Sequence, residues 1–369
     1  MSATMQDVAL IAGVSVKTVS NVINDYPHVR PATRNRVLAA IAELGYRPNL
    51  TARGLRSGKT GIIGLAVPEL RENYFAELAD SVIRAAEKQG LGVLVEQTNG
   101  DRDTELLVIS GARMHFTDGI LFSPVGMGQA DASLLEVPFP LVLLGERIFN
   151  GPTDHVTMHN VSSAVATVEH LLSIGRRRIA LVGAEGDDDS DASSWSLRTR
   201  GYRRALERAG IPVDERLIRH TSHWNRAGGA AAIHEMVAEG HAFDAVFALN
   251  DALALGVLRA LQETGRRVPE DVAVVGFDNV DESQYAVPSL TTVDPGREEI
   301  AATAVELLVQ RINEKGVKAP PRTVKAAFSI VARESTGNAP VSEQVAGPVP
   351  TAAAASVANS VTPEVELSS

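Results

Sequence analysis

A small all-α head followed by a two-lobed α/β body with parallel sheets is the architecture that this 369-residue sequence predicts, and three observations carry it. Short amphipathic runs bounded by caps and glycine turns fill residues 4–46. From Gly61 onward, apolar β-type runs alternate with helical stretches, the pattern of strands joined by crossover helices. Such units are more numerous than one modest sheet accommodates, so the body is expected to divide into two similar lobes.

The head reads as three helices. Thr4 can cap the first, with Asp7 reaching back as an approximate capping box. Gly13 permits a tight turn after Ala12, and Ser15 can cap a second helix through about Ile23. Pro31 suits the first turn of a third, whose apolar face is Val37, Ile41 and Leu44 and which Gly45 ends. Ala9, Val14 and Val19 are expected to pack inward, leaving Val16, Lys17, Thr18 and Asn21 outward. Pro48 then stops regular structure, and Asn49 can cap one amphipathic segment, Leu50 to Leu55, before Ser57-Gly58-Lys59. This segment is read as a hinge. The resulting division is a head at 1–47, a hinge and linker at 48–60, and a body at 61–335.

In the body, strands are expected at Ile62–Val67, Leu91–Glu96, Gly119–Phe122, Leu141–Leu144, Ile179–Gly183, Ala245–Ala248 and Ala273–Phe277. Helices are expected at Phe75–Gln89, Val161–Ser173, Gly201–Ala209, Ala252–Thr264 and Glu298–Asn313. The lobes are expected to part near Met158–Val161, with the chain crossing back near Pro288–Pro295. Lobe 1 then takes about 61–159 and 290–320, and lobe 2 about 160–289 and 321–335. Ligands of open parallel sheets bind beyond the carboxyl ends of the strands, which here means the cleft between lobes. Residues 336–369, rich in Ala, Val, Pro, Ser and Thr without period, are expected to be a disordered tail.

Composition narrows the function. Zero cysteines exclude disulfides, thiolate metal sites and cysteine nucleophiles. No apolar run has membrane-spanning length and no charged-then-apolar segment opens the chain, so a cytoplasmic protein without a membrane partner is expected. The net charge of −10 is uneven. Residues 1–60 hold eight Lys/Arg against three Asp/Glu, a net +5 that leaves −15 for the remainder. A basic head on an acidic body points to a polyanion at one end. His155 and His159 stand four apart without a third ligand, and the acidic run Asp187–Asp191 lacks calcium-loop spacing, so no metal is expected. Neither a phosphate-cradling glycine loop nor a nucleophile elbow is present, so neither catalysis nor a cofactor is expected.

The run TMQDVALIAGVSVKTVSNVIN at Thr4–Asn24 resembles the lactose-repressor (LacI/GalR) family of bacterial transcription regulators. The likeness continues through TRNRVLAAIAELGYRPN and the hinge to VARES, over roughly residues 4–335. It implies a helix-turn-helix head, a periplasmic-binding-protein-like body, a homodimer on near-palindromic double-stranded operator DNA, and a small-molecule effector, a carbohydrate, bound between the lobes. The second helix then enters the major groove. The expected DNA-facing set is Thr4, Ser15, Val16, Lys17, Thr18, Ser20 and Asn21, with Lys17 able to donate to guanine and the hydroxyls short enough for phosphate. From the hinge, Asn49, Ala52 and Leu55 join it, Leu55 as a wedge between central base steps. So short a helix is expected to order only on DNA.

For the effector the resemblance implies Arg198, Asn250, Asp278 and Trp224, with Tyr74 and Phe75 lining the opposite lobe. The chain departs from the family pattern at Asn21, Arg30, His159 and Arg176. The tail shows no leucine heptads, which favours a dimer over a tetramer. A sugar-binding module of the periplasmic-receptor type shares the body and stays open as the alternative. The sign of the effector's action also stays open.

Overall fold

The computed structural model describes residues 3–23, 26–46, 59–185, 192–221 and 223–337. The predicted hinge helix with Asn49, Ala52 and Leu55, the acidic run at 187–191 and the tail from 338 lie outside the described residues. The chain divides into two units, one holding the three head helices and the other both sheets.

In the head, α1 (Met5–Ala12) begins at the capping box the sequence predicts. The Thr4 hydroxyl accepts from the Asp7 amide at 3.3 Å, and the Asp7 carboxylate accepts from the Thr4 amide at 2.8 Å. Gly13 ends the helix at φ +61°, a left-handed conformation that only glycine adopts without strain. The Ser15 hydroxyl accepts from the Thr18 amide at 3.2 Å and opens α2 (Val16–Ile23). Helix α3 (Pro31–Leu44) starts with proline in its first turn, while the Arg30 side chain makes no cap. Val8, Ala9, Ala12, Val19, Val22, Val37, Ala40 and Tyr46 form the head core. Val14, Ile41 and Leu44, expected inside, pack at its margin, because α3 turns the small Ala40 toward its neighbours.

The body elements in chain order are β1 (Ile62–Val67), α4 (Asn73–Glu87), β2 (Gly92–Gln97), α5 (Arg102–Ile109), β3 (Ile120–Phe122), β4 (Leu141–Leu144), β5 (Asp154–Thr157), α6 (Asn160–Ser173) and β6 (Ile179–Ala184). There follow α7 (Ser194–Arg208), β7 (Ile218–His220), α8 (Arg226–Ala238), β8 (Ala245–Ala248), α9 (Asp251–Glu263), β9 (Ala273–Phe277) and α10 (Asp281–Tyr285). The last are β10 (Thr291–Asp294), α11 (Arg297–Asn313), β11 (Thr323–Lys325) and β12 (Ser329–Val331).

Two six-stranded sheets result, ordered β11-β5-β4-β3-β1-β2 and β12-β10-β9-β8-β6-β7. β3 runs parallel to β1 and β4, and β8 parallel to β6 and β9. β12 runs antiparallel to β10. The chain therefore passes between sheets three times: after β5, after β10 and after β11.

Two predicted boundaries shift. The return to lobe 1 was expected from residue 290, yet Thr291–Asp294 is a strand of the second sheet, paired in parallel with β9. Pro288 and Pro295 flank this strand instead of marking a linker, and the crossing falls at Gly296, which is left-handed at φ +77°. Residues 323–325, placed in lobe 2, pair with β5 in the first sheet. Asp154 of β5 anchors that region, its fully buried carboxylate bonded to Arg311 at 2.8 Å and Arg322 at 2.9 Å. Burial alone would raise its pKa, but the hydrogen bonds from the two arginines outweigh it and hold the group below the usual carboxylate value.

Helices α8 and α9 pack backbone against backbone. A Cβ on Gly256 would lie 1.9 Å from the Arg226 carbonyl oxygen, and one on Gly229 would lie 2.1 Å from that of Leu253. Alanine favours a helix over glycine by about 1 kcal/mol, but this contact is with rigid main chain. Gly256→Ala is accordingly expected to lower stability by about 1–3 kcal/mol in urea unfolding.

Candidate DNA-reading face and effector cavity

On the head, Lys17 is exposed on the first turn of α2, with Ser15 exposed just before it. The Ser15 and Thr18 hydroxyls bond each other at 2.9 Å, so both are engaged in opening the helix. Asn21 is half-buried, and its carbonyl accepts from the Tyr26 amide at 2.9 Å. Ser20 is also half-buried. The structure departs from expectation at Val16, which is half-buried and packs against the head core. Its position at the helix start turns its short branched side chain toward Val19 and the other core residues, so it does not stand fully outward. The Thr4 side chain is held by its capping box.

In the body, a cavity of about 1000 Å³ opens where strands of both sheets end. All six residues expected at the effector site line it: Tyr74, Phe75, Arg198, Trp224, Asn250 and Asp278. Most sit just past a carboxyl strand end or at the start of the following helix. Asn250 follows β8 and caps α9, its side-chain oxygen accepting from the Leu253 amide at 2.8 Å. Its amide donates to the Trp224 carbonyl at 3.2 Å, so the cap also seats the aromatic. The Trp224 indole donates to the Gly183 carbonyl at 2.9 Å. Tyr74 and Phe75 meet edge to face at 5.2 Å at the start of α4.

Arg198 stands at the centre of the charges and is only 3% exposed. Its Nε donates to the Asn160 side-chain oxygen at 2.8 Å, and Nη1 donates to the Leu249 carbonyl. The guanidinium lies 3.4 Å from the Phe277 ring centroid and 5.6 Å from that of Trp224. Burial lowers its pKa from the ordinary arginine value, against the opposing charges of Asp278 and Glu146. Asp278 sits at φ +113° just past β9. Burial raises its carboxyl well above the usual range, against the pull of Arg198. Glu146, beyond β4, is raised by burial and opposed chiefly by Arg198, with Ser194 assisting. Glu72, at the rim, is pushed up to about 7 by burial, with Glu69 adding to the rise.

Polar contacts join the lobes beside the cavity. The Asp281 amide donates to Glu77 at 2.9 Å, and Asn73 donates to Glu282. Arg297, at the second crossing, pairs with Glu77 at 2.6 Å and donates to the Asp278 carbonyl at 3.1 Å. Beneath them Asp251, fully buried, accepts from the hydroxyls of Ser283 and Thr292, each at 2.6 Å, and from the Val280 amide at 3.0 Å.

Glu146, Trp195 and Thr157 line the cavity without having been singled out in the sequence. A signal existed for two of them. Glu146 lies just past the end of β4, where ligands of parallel sheets are met. Trp195 precedes Arg198 by nearly one helical turn on α7, which puts both on one face.

Two family descriptions match the chain: "Bacterial regulatory proteins, lacI family" over residues 4–49, and "Periplasmic binding protein-like domain" over residues 168–336. Catabolite control protein A of Priestia megaterium is 32% identical over 337 residues, covering 91% of this chain and 100% of the relative. The lac repressor dimer bound to operator and the anti-inducer ONPF superposes with a TM-score of 0.76 at 28% identity, covering 91% of this chain and 99% of the other. The complex of the transcriptional regulator CelR with cellobiose gives a TM-score of 0.65 at 31% identity, covering 90% and 99%.

Proposed function

Because the chain belongs to the lacI family of bacterial regulatory proteins, and is a DNA-binding transcription regulator and not an enzyme, we propose that it is a repressor whose operator affinity changes when a small carbohydrate occupies the cavity between its lobes. One observation carries this reading: six residues spread from Tyr74 to Asp278 in the sequence converge on a single cavity of about 1000 Å³. The match over residues 4–49 speaks against a receptor without DNA function. Among the described residues no helix is long and apolar enough to cross a membrane. A cytoplasmic location is part of the proposal, since that is where a bacterial operator is met.

The mechanism follows from differential binding. Two copies of the chain present two α2 helices to successive major-groove faces of a near-palindromic operator. The head at 1–47, with Lys17 toward the bases, reads sequence, and the hinge at 48–60 adds Leu55 in the minor groove. The effector favours one arrangement of the lobes, and it shifts DNA binding only by its difference in affinity between the two. The bonds across the lobes, from the Asp281 amide to Glu77, from Asn73 to Glu282 and from Arg297 to the Asp278 carbonyl, are the ones that such a shift must remake.

Selection of purified protein on a random duplex library tests the DNA-reading part. Enrichment of near-palindromic sequences is the expected result, with Lys17→Ala changing base preference at one position in each half-site. An equal loss of affinity for every sequence would make Lys17 a phosphate contact, and failure to enrich any sequence would refute the reading.

A further inference from the structure

We propose, resting on the carbohydrate reading above, that this cavity takes an uncharged disaccharide or longer oligosaccharide and rejects sugars carrying phosphate or carboxylate groups. Charge is the first ground. Glu146 and Asp278 are 8% and 7% exposed, and Arg198, at 3%, is the only comparably buried cation among the described residues lining the cavity. Two buried acids against one buried base offer an anion no net attraction: ionised they repel it, and protonated they leave only the Arg198 guanidinium to meet it. The guanidinium is already turned toward protein acceptors, Asn160 and the Leu249 carbonyl. Cations at the rim are also engaged: Arg71 with Glu69 at 3.4 Å, Arg226 with Glu282 at 3.4 Å, and Arg147 with the Met127 carbonyl at 3.3 Å. A phosphate entering here would meet carboxylates without an uncommitted buried cation.

Unused hydrogen-bonding capacity is the second ground. Thr157, on the cavity lining, has a buried hydroxyl with no hydrogen-bond partner. No donor among the described residues bonds the Asp278 carboxylate, whose backbone alone is engaged. Such groups need a partner able both to donate and to accept, which is what vicinal hydroxyls supply and an anion does not.

Size and aromatic placement are the third. At about 1000 Å³ the cavity stands at the upper end for small-molecule sites, more than one sugar ring fills. The chain's two tryptophans, Trp195 and Trp224, both line it from the second lobe, and Tyr74 and Phe75 line it from the first. Aromatic surfaces on both lobes suit a ligand with an apolar ring face for each.

Because Trp195 and Trp224 both border the cavity, the intrinsic tryptophan emission of the full-length protein reports its occupation. The titrants are cellobiose, maltose, lactose and trehalose; glucose, galactose and ribose; and glucose 6-phosphate and trehalose 6-phosphate. At least one neutral disaccharide is expected to change the emission at a concentration about tenfold or more below that of any monosaccharide or sugar phosphate. Tightest binding by a phosphate or by a monosaccharide overturns the proposal. Silence from all nine sugars, with duplex selection succeeding, overturns the carbohydrate reading itself and this proposal with it. Glu146→Gln separates the charge argument from size: it should narrow the discrimination against trehalose 6-phosphate relative to trehalose by about tenfold, like-charge contacts being costly. Unchanged discrimination in a variant whose melting temperature matches the parent's would overturn the charge argument.

Discussion

Arg198→Ala is expected to lower stability by about 3–5 kcal/mol at pH 7.5 and to abolish the effector response, because it removes the buried cation whose charge opposes those of Asp278 and Glu146 and takes the donor from Asn160 and the Leu249 carbonyl. The loss should depend on pH, and its sign follows from the directions of the shifts. Burial already holds Asp278 and Glu146 above their ordinary values, and removing Arg198 raises both further. A carboxyl raised in the folded state binds more protons there than in the unfolded chain, so stability increases as the pH falls toward the unfolded value of about 4. The deficit of the variant should therefore shrink between pH 7.5 and 5.5 in urea unfolding. An equal deficit at both values would mean that Arg198 stabilises through packing on Phe277 and Trp224 and not through charge.

Asp251→Ala should cost nearly as much, about 3 kcal/mol or more, since the hydroxyls of Ser283 and Thr292 and the Val280 amide would all lose their acceptor in a dry interior. Its consequence reaches the cavity. Val280 and Ser283 close the turn that begins with Asp278 at φ +113° and Asn279 at φ +50°, conformations that non-glycine residues hold only when surrounding bonds impose them. Effector affinity is thus expected to fall with stability, although Asp251 is not among the residues lining the cavity. Burial raises the Asp251 carboxyl to about 6, in spite of the hydrogen bonds it accepts. In the parent its share of stability is full below the unfolded value near 4 and is lost as the pH climbs through about 6. Asp251→Asn should flatten that part of the stability profile. A profile unchanged by the substitution would show that the group does not titrate there.

The extent to which the sequence reveals this molecule differs from element to element. The strands Ile62–Val67, Leu141–Leu144, Ala245–Ala248 and Ala273–Phe277 have the bounds their apolar runs predict, since a strand covered on both faces shows its burial in its own composition. β10 and β11 are short and carry Thr, Asp or Lys, so their pairing depends on neighbours distant in sequence, and the expected lobe boundaries shift at these two strands. Helix α8 holds adjacent glycines that would weaken an isolated helix; Gly229 lets the main chain of α9 approach at Leu253, and Gly228 lies against the His223 carbonyl of the preceding loop. At the cavity, the residues that resemblance implied lie at strand ends and helix starts, which local pattern can find. Glu146, just past β4, was open to the same rule, whereas Thr157 escaped because its significance is burial, which only the folded chain makes. Lys17 and Val16 are adjacent in sequence, yet only packing against the head core reveals that one is exposed and the other half-covered.

The claim that joins both ends of the chain is that occupation of the cavity changes DNA affinity, and fluorescence anisotropy of a labelled operator obtained by selection measures this directly. Titrating the sugar that alters tryptophan emission should change operator affinity by about 5–150-fold in the parent protein. The same sugar should leave the affinity of the Arg198→Ala protein, assayed where it is folded, unchanged. A sugar that binds the parent's cavity tightly while its operator affinity stays constant would contradict the account.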